Sequence, residues 1–102
     1  MARLLVLYKT PKNPEAFDKH YKSVHIPLAK KIPGLRRYDI SAGSVATPAG
    51  KSDVHLAAAL DFETLATLQL GLASPEGQAA AGDLAHFADG GADLLIFDTE
   101  DV

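Results

Sequence analysis

The sequence contains no cysteine, so the chain can form neither a disulfide framework, nor a thiolate nucleophile, nor a cysteine-based metal site. Positive charge is also not in excess, because 10 Lys and Arg residues stand against 13 Asp and Glu residues, a formal net charge of -3. Proteins that bind nucleic acid or anionic membranes usually carry a basic surface. We therefore expect neither nucleic acid nor a membrane as a partner.

Long hydrophobic runs are missing as well. No window approaches the roughly 20 apolar residues of a transmembrane helix. The first residues, MARLLVLYKTP, contain a short apolar run without a small-residue cleavage site, which favours a strand over a signal peptide. No repeat or linker divides the chain, so we expect one domain over residues 1–102 and, by default, a cytoplasmic location.

Turn and capping residues divide the chain into alternating elements. Short apolar runs predict strands at residues 4–9, 35–45, 54–62 and 92–98, with a turn-rich loop at 45–53 between the second and third. Asn13-Pro14-Glu15 and Ser74-Pro75-Glu76 are typical helix starts, Asp61 can cap a helix through Leu65 and Leu68, and Pro33-Gly34 ends the first helix. The order strand, helix, strand, strand, helical pair, strand predicts a ferredoxin-like, split βαβ fold of the α+β class.

A four-stranded antiparallel sheet with helices on one face leaves its other face bare. Leu5 and Leu7 alternate with Leu4 and Val6, so the first strand is apolar on both faces. An apolar bare face must be covered, and two sheets packed face to face would cover it. The pattern therefore predicts a homodimer formed through the sheet.

The segment HYKSVHIPL, residues 20–28, carries the main candidate for chemistry. On a regular helix, an apolar stripe forms with His25 on one flank and His20 on the other (the stripe residues are Phe17, Tyr21, Val24, Leu28 and Ile32). A half-desolvated His25 suits proton transfer near neutral pH, although a purely structural role is the alternative. His20 and His25 diverge by about 140° on such a helix, so a metal site from this pair is not expected. Pro27 should bend the helix beside His25.

Other candidates are fewer. Tyr8 and Tyr38 lie on strands and are either pocket residues or core residues with a polar tip. His55 opens the third strand before three alanines, residues 57–59, which indicate either a pocket under the helices or close helix–sheet packing. His86 and Phe87 end the last helix, where an imidazolium suits the helix dipole. No nucleotide-binding glycine loop is present.

The segments LYKTP, FDKHYKSVHIPLAKKIPGLRRYDIS, HLAAALDFETLATLQ and SPEGQAAAGDLAHFADGG resemble the EthD family over nearly the full chain. The resemblance implies a dimeric α/β barrel, and the family takes its name from a protein required for ethyl tert-butyl ether degradation. Similar barrels include muconolactone-type isomerases, polyketide cyclases and cofactor-independent monooxygenases, and some distant relatives bind haem. The resemblance to methylmuconolactone isomerase-like members implies pocket roles for His25 and Tyr38. His86 stands where the family often has asparagine.

Two functions follow as hypotheses. The first is a cofactor-free and metal-free isomerase, lyase or cyclase acting on a small hydrophobic carbonyl or lactone compound in a catabolic or secondary-metabolite pathway. His25 would be its general acid or base and Tyr38 or Tyr8 its oxyanion donor, with substrate contacts from Tyr8, His20, Tyr21, His55 and Phe87. The second is a non-catalytic carrier that delivers a hydrophobic metabolite to a partner oxygenase. Haem binding through a histidine is a third option.

Overall fold

A computed structural model describes all 102 residues of the chain. Six strands, four α-helices and one π-helical turn follow one another along it. They are β1 (Ala2–Lys9), α1 (Pro14–His20), a π-helical turn (Tyr21–His25), α2 (Ile26–Ala29), β2 (Leu35–Ile40), β3 (Ala46–Thr47), β4 (Gly50–Lys51), β5 (Val54–Phe62), α3 (Leu65–Ala73), α4 (Pro75–Phe87) and β6 (Ala92–Asp98).

Four of the strands form one sheet in the order β2-β5-β1-β6, and every neighbouring pair is antiparallel. This confirms the ferredoxin-like α+β fold. The predicted bounds of β5 and β6 match the structure, whereas the strand expected over residues 35–45 ends at Ile40. The loop at 45–53 contains a short hairpin, because its turn residues let β3 and β4 pair at two positions.

The helix starts follow the capping signals with one exception. The side chains of Asn13 and Ser74 each accept a hydrogen bond from the backbone N–H three residues on, as predicted. The prediction that Asp61 caps a helix is wrong, because Asp61 lies within β5 and binds Arg3 across the sheet, with 2.7 Å between Arg3 Nε and Asp61 Oδ1. Thr64 caps α3 instead.

The core lies between the helices and one face of the sheet. Along β1, buried residues alternate with half-buried ones, as expected for a strand with one covered face. The buried hydrophobic residues on the two central strands are Ala2, Leu4, Val6, Tyr8, Leu56, Ala58, Leu60 and Phe62.

The opposite face carries apolar side chains that no helix of the chain covers. Leu5 and Leu7 are half-buried there, and Leu95 and Phe97 on the neighbouring β6 are 47% and 39% exposed. The cross-strand pair Leu5–Leu95 places these residues side by side. The bare apolar face predicted from the alternation in β1 is therefore present.

The first helix is not a regular α-helix. The backbone N–H of Ile26 donates to the carbonyl of Tyr21, five residues earlier, which is the hydrogen bond of a π turn. The wide turn inserts one extra residue, so the buried stripe passes through His25 and leaves Val24 40% exposed. The expectation that Val24 is buried and His25 only flanks the stripe is thus wrong. Pro27, which lacks an N–H, is the second residue after the wide turn.

Candidate active site

An apolar cavity lies between the helices and the sheet. Its polar lining consists of the imidazole of His25 and the side chains of Tyr8, Tyr21 and Tyr38, and most other lining residues are aliphatic. The space inside it that the centre of a water molecule can occupy is about 50 Å³, which is room for a few waters or a small organic group. Such a cavity with few polar groups is typical of a small-molecule site.

His25 stands in the cavity wall with a defined orientation. The residue is 6% exposed, and its Nδ1 lies 3.0 Å from Oδ2 of Asp83. Because a carboxylate only accepts hydrogen bonds, Nδ1 carries the hydrogen and Nε2 keeps its lone pair. Nε2 has no hydrogen-bond partner within the chain and is not fully buried, and the residue lines the cavity.

The charge state of this pair follows from burial and hydrogen bonding. Burial lowers the pKa of His25 below its usual value, and the hydrogen bond and charge of Asp83 offset this only in part. For Asp83, burial acts to raise the pKa, but the hydrogen bonds from His20 and His25 outweigh it and lower the pKa overall. At neutral pH the pair is therefore a neutral imidazole beside a carboxylate.

Asp83 is shared by two imidazoles. Nε2 of His20 lies 2.9 Å from Oδ1 and 3.1 Å from Oδ2, and the His20 ring stacks on Phe87 at a centroid distance of 5.2 Å. The π turn explains how two histidines five residues apart reach one carboxylate, because its extra residue brings positions i and i+5 towards the same side. The divergence of about 140° expected on a regular helix does not apply here.

The tyrosines form a second polar group in the cavity wall. The hydroxyl oxygens of Tyr21 and Tyr38 are 2.6 Å apart, and the ring of Tyr8 packs against that of Tyr21. Burial raises the pKa of each of the three phenols, so all are protonated at neutral pH. Within the Tyr21–Tyr38 pair one hydroxyl donates to the other, which leaves the second hydrogen free for a molecule in the cavity.

Three of the residues expected at the site lie outside the cavity. His20 stands behind Asp83, and Phe87 packs behind the His25 ring at a centroid distance of 4.8 Å. His55 binds Asp18 instead, with 2.8 Å between Nε2 and Oδ1, beside a separate polar hollow. None of the three alanines at 57–59 lines the cavity. His86 is exposed at the end of α4.

Asp83 is the site residue that sequence reasoning missed. It is 6% exposed and lies on the buried stripe of α4, between Ala80 and Phe87 at spacings of three and four. A carboxylate within an apolar stripe requires a buried partner, and the pattern could have identified it on that ground. No group of three or more His, Cys, Asp or Glu side chains has the arrangement of a metal site, and no helix is long and apolar enough to cross a membrane.

Comparison with known proteins identifies the family. The EthD domain matches residues 9–91. The chain belongs to the EthD family. An 11.0 kDa protein from the thcB–thcC intergenic region of Rhodococcus erythropolis is 42% identical over 103 residues, covering 100% of this chain and 98% of that protein. The crystal structure of an EthD family protein from Bacillus halodurans is 34% identical to this EthD protein, with a TM-score of 0.90 over 98% of this chain and 99% of the other.

More distant structures share the fold of this EthD protein. SnoaB from Streptomyces nogalater, described as a cofactor-independent oxygenase, is 13% identical, with a TM-score of 0.69 over 99% of this chain and 94% of the other. Ferredoxin-like proteins from Bacteroides fragilis, Thermobifida fusca and a Jannaschia species, 15% to 18% identical, are described as dimeric. At this identity the likeness shows the fold alone.

Proposed function

We propose that this EthD protein is a cofactor-free proton-transfer enzyme, of the isomerase, lyase or cyclase type, acting on a small hydrophobic carbonyl or lactone compound. The observation that carries the proposal is the hydrogen bond from His25 Nδ1 to Asp83, 3.0 Å long, which leaves Nε2 free to act as a base in a residue that lines an apolar cavity. A neutral imidazole with one oriented lone pair is the usual general base of enzymes.

The reaction proposed is a proton shift next to a carbonyl group. Nε2 of His25 removes a proton from the carbon beside the carbonyl, and the negative charge of Asp83 stabilises the imidazolium that forms. The free hydrogen of the Tyr21–Tyr38 pair donates to the developing enolate oxygen. The imidazolium then returns the proton to a second carbon of the same enolate. General base catalysis contributes about 10²–10⁴-fold and one oxyanion donor about 10²–10³-fold.

A second candidate is a carrier that binds a hydrophobic metabolite without changing it, in support of a partner oxygenase of the kind suggested by the ether-degradation name of the family. One observation favours it. The hydroxyls of Tyr21 and Tyr38 already bind each other at 2.6 Å, so only one of their two hydrogens is left for a ligand, and most of the remaining cavity wall is aliphatic, as a hydrophobic metabolite needs.

The test uses a β,γ-unsaturated lactone, α-angelica lactone, whose isomerisation to the conjugated lactone needs only a proton shift. Its conversion in the presence of the protein is followed by ¹H NMR. We expect His25→Gln to lose about 10²–10⁴-fold in rate. His86→Gln, a matched change at an exposed histidine, should keep the rate.

Equal rates for the wild type and His25→Gln would overturn the role of His25. Cyclic ketones or lactones that raise the melting temperature of the protein but are recovered unaltered would favour the carrier function.

We also propose that the protein forms a homodimer through the bare sheet face. Leu5, Leu7, Leu95 and Phe97 supply the apolar surface for it, and related ferredoxin-like structures are described as dimeric. Sedimentation velocity tests this directly.

A further inference from the structure

Strand β6 is apolar on both faces and lies at the edge of the sheet. It pairs with β1 alone, so its outer backbone groups have no partner strand. Four successive side chains are 39% to 48% exposed (Leu94, Leu95, Ile96 and Phe97). The strand carries neither Lys nor Pro, the residues that natural proteins use to protect an exposed edge. Such a strand is expected to be covered.

The two faces of β6 differ in what can cover them. Leu95 pairs with Leu5 on the bare face, so a second sheet packed on that face covers it. Leu94 pairs with Val6 on the helix side, where Val6 is only 5% exposed but Leu94 is 48% exposed. The helices therefore cover β1 and stop short of β6. A flat face-to-face dimer leaves Leu94 and Ile96 in solvent.

Leu94 is also part of the cavity wall. It lines the same cavity as His25 and Tyr38, and it is the only β6 residue to do so. Nearly half of this wall residue is exposed, so solvent reaches the cavity wall along β6. A site whose base must act in an apolar environment needs that edge closed.

We propose that the second copy of the chain, packed on the bare face, also extends around the β6 edge, covers Leu94 and Ile96 and completes the cavity wall. The role of the cavity in catalysis rests on the proposed function, whereas the contact between the two copies at the β6 edge does not. A second copy fits better than an unrelated protein. A separate specific partner needs about 800 Å² on each side, and Leu94 and Ile96 alone offer far less. They are, however, continuous with the dimer surface through the same strand.

The test measures the solvent accessibility of Leu94 directly. Leucine methyl groups are ¹³C-labelled, and their relaxation enhancement by the soluble nitroxide TEMPOL is measured in the wild type and in Leu95→Glu. Leu95 does not line the cavity, so its charge should break the dimer without altering the site. Leu68, which is 0% exposed, and Leu70, which is 73% exposed, are internal references.

In the wild-type dimer we expect the relaxation enhancement of the Leu94 methyls to be as small as that of the Leu68 methyls. In monomeric Leu95→Glu it should rise towards the value of the Leu70 methyls. Affinity for α-angelica lactone, measured by NMR titration, should fall about tenfold or more, a change of about 1.4 kcal/mol. Leu70→Glu, a matched change on α3, should leave both the dimer and Leu94 unaffected. Phe97→Lys provides a second monomeric variant if Leu95→Glu does not fold by circular dichroism.

A wild type that is monomeric, or a dimer in which Leu94 relaxes like Leu70, would overturn the contact. Protected Leu94 methyls with unchanged lactone affinity in the monomer would overturn the completion of the cavity. Protection of Leu94 in a protein that does not isomerise the lactone would leave the contact standing and remove only the proposed reaction.

Discussion

Asp83→Asn tests the buried carboxylate on which the candidate site depends. Asp83 accepts hydrogen bonds from two imidazoles, His25 at 3.0 Å and His20 at 2.9 Å. An asparagine keeps the shape but removes the negative charge and replaces one accepting oxygen with an NH₂ group, which only donates. If the NH₂ group faces His25, that ring must carry its hydrogen on Nε2 and is no longer a base.

The expected loss has two parts. Hydrogen bonds to charged groups contribute about 1.5–3 kcal/mol each and neutral ones about 1 kcal/mol, so the exchange should lower the free energy of unfolding by about 1–3 kcal/mol. For a domain of this size that corresponds to a fall in melting temperature of about 4–20 °C. The lactone isomerisation should slow by about 10²–10⁴-fold, since the same exchange beside a catalytic histidine elsewhere costs about 10⁴-fold through the wrong tautomer.

Asp18→Asn is the matched control. Asp18 makes the other carboxylate–imidazole contact, 2.8 Å from Nε2 of His55, but its side chain is 50% exposed. An exposed pair of this kind contributes about 0–1 kcal/mol, and it is remote from the cavity. Thermal denaturation, the rate assay and ¹⁵N spectra of the imidazole tautomers are recorded for both variants. An Asp83→Asn protein with the stability, rate and His25 tautomer of Asp18→Asn would refute the reasoning.

Four further predictions follow from the structure. Because the pKa of His25 is lowered, the pH–rate profile should rise with pH and reach half its maximum below the usual histidine value of 6.5. Since His25 and Asp83 both have lowered pKa values, the unfolded chain binds more protons, and the unfolding midpoint in urea should fall as the pH decreases from 7 to 4. Tyr38→Phe should slow the isomerisation about 10²-fold or more while leaving the protein folded by circular dichroism. Gly71→Ala should destabilise the protein, because the added Cβ would lie 2.7 Å from a backbone carbonyl, whereas Gly82→Ala, with open space around it, should raise the unfolding free energy by about 0.5–1 kcal/mol in the same urea titration.

Elements set by local signals were predictable from the sequence. The strands β5 and β6 and the caps at Asn13 and Ser74 depend on neighbouring residues, and the structure agrees with the prediction at each. The cap at Asp61 failed because a long-range partner, Arg3, takes its carboxylate. Local capping chemistry does not reveal which competing contact across the sheet is stronger.

The candidate site was less predictable because it depends on a departure from regular helix geometry. A wheel of 100° per residue puts Val24 in the buried stripe and separates His20 from His25. The π turn replaces Val24 with His25, and packing against α4 rather than local propensity decides that. The acid that unites the two histidines lies more than fifty residues further along, so only the folded chain brings them together.

The wide turn makes the length of the first helix part of the chemistry. If the same residues wound into a regular helix, every side chain after the turn would be rotated by about 100° from its present place. Val24 would then lie opposite the carboxylate, and the imidazole would turn away from the hollow. Among EthD proteins, the presence of the wide turn between the two histidines is therefore a better guide to shared chemistry than the presence of either histidine.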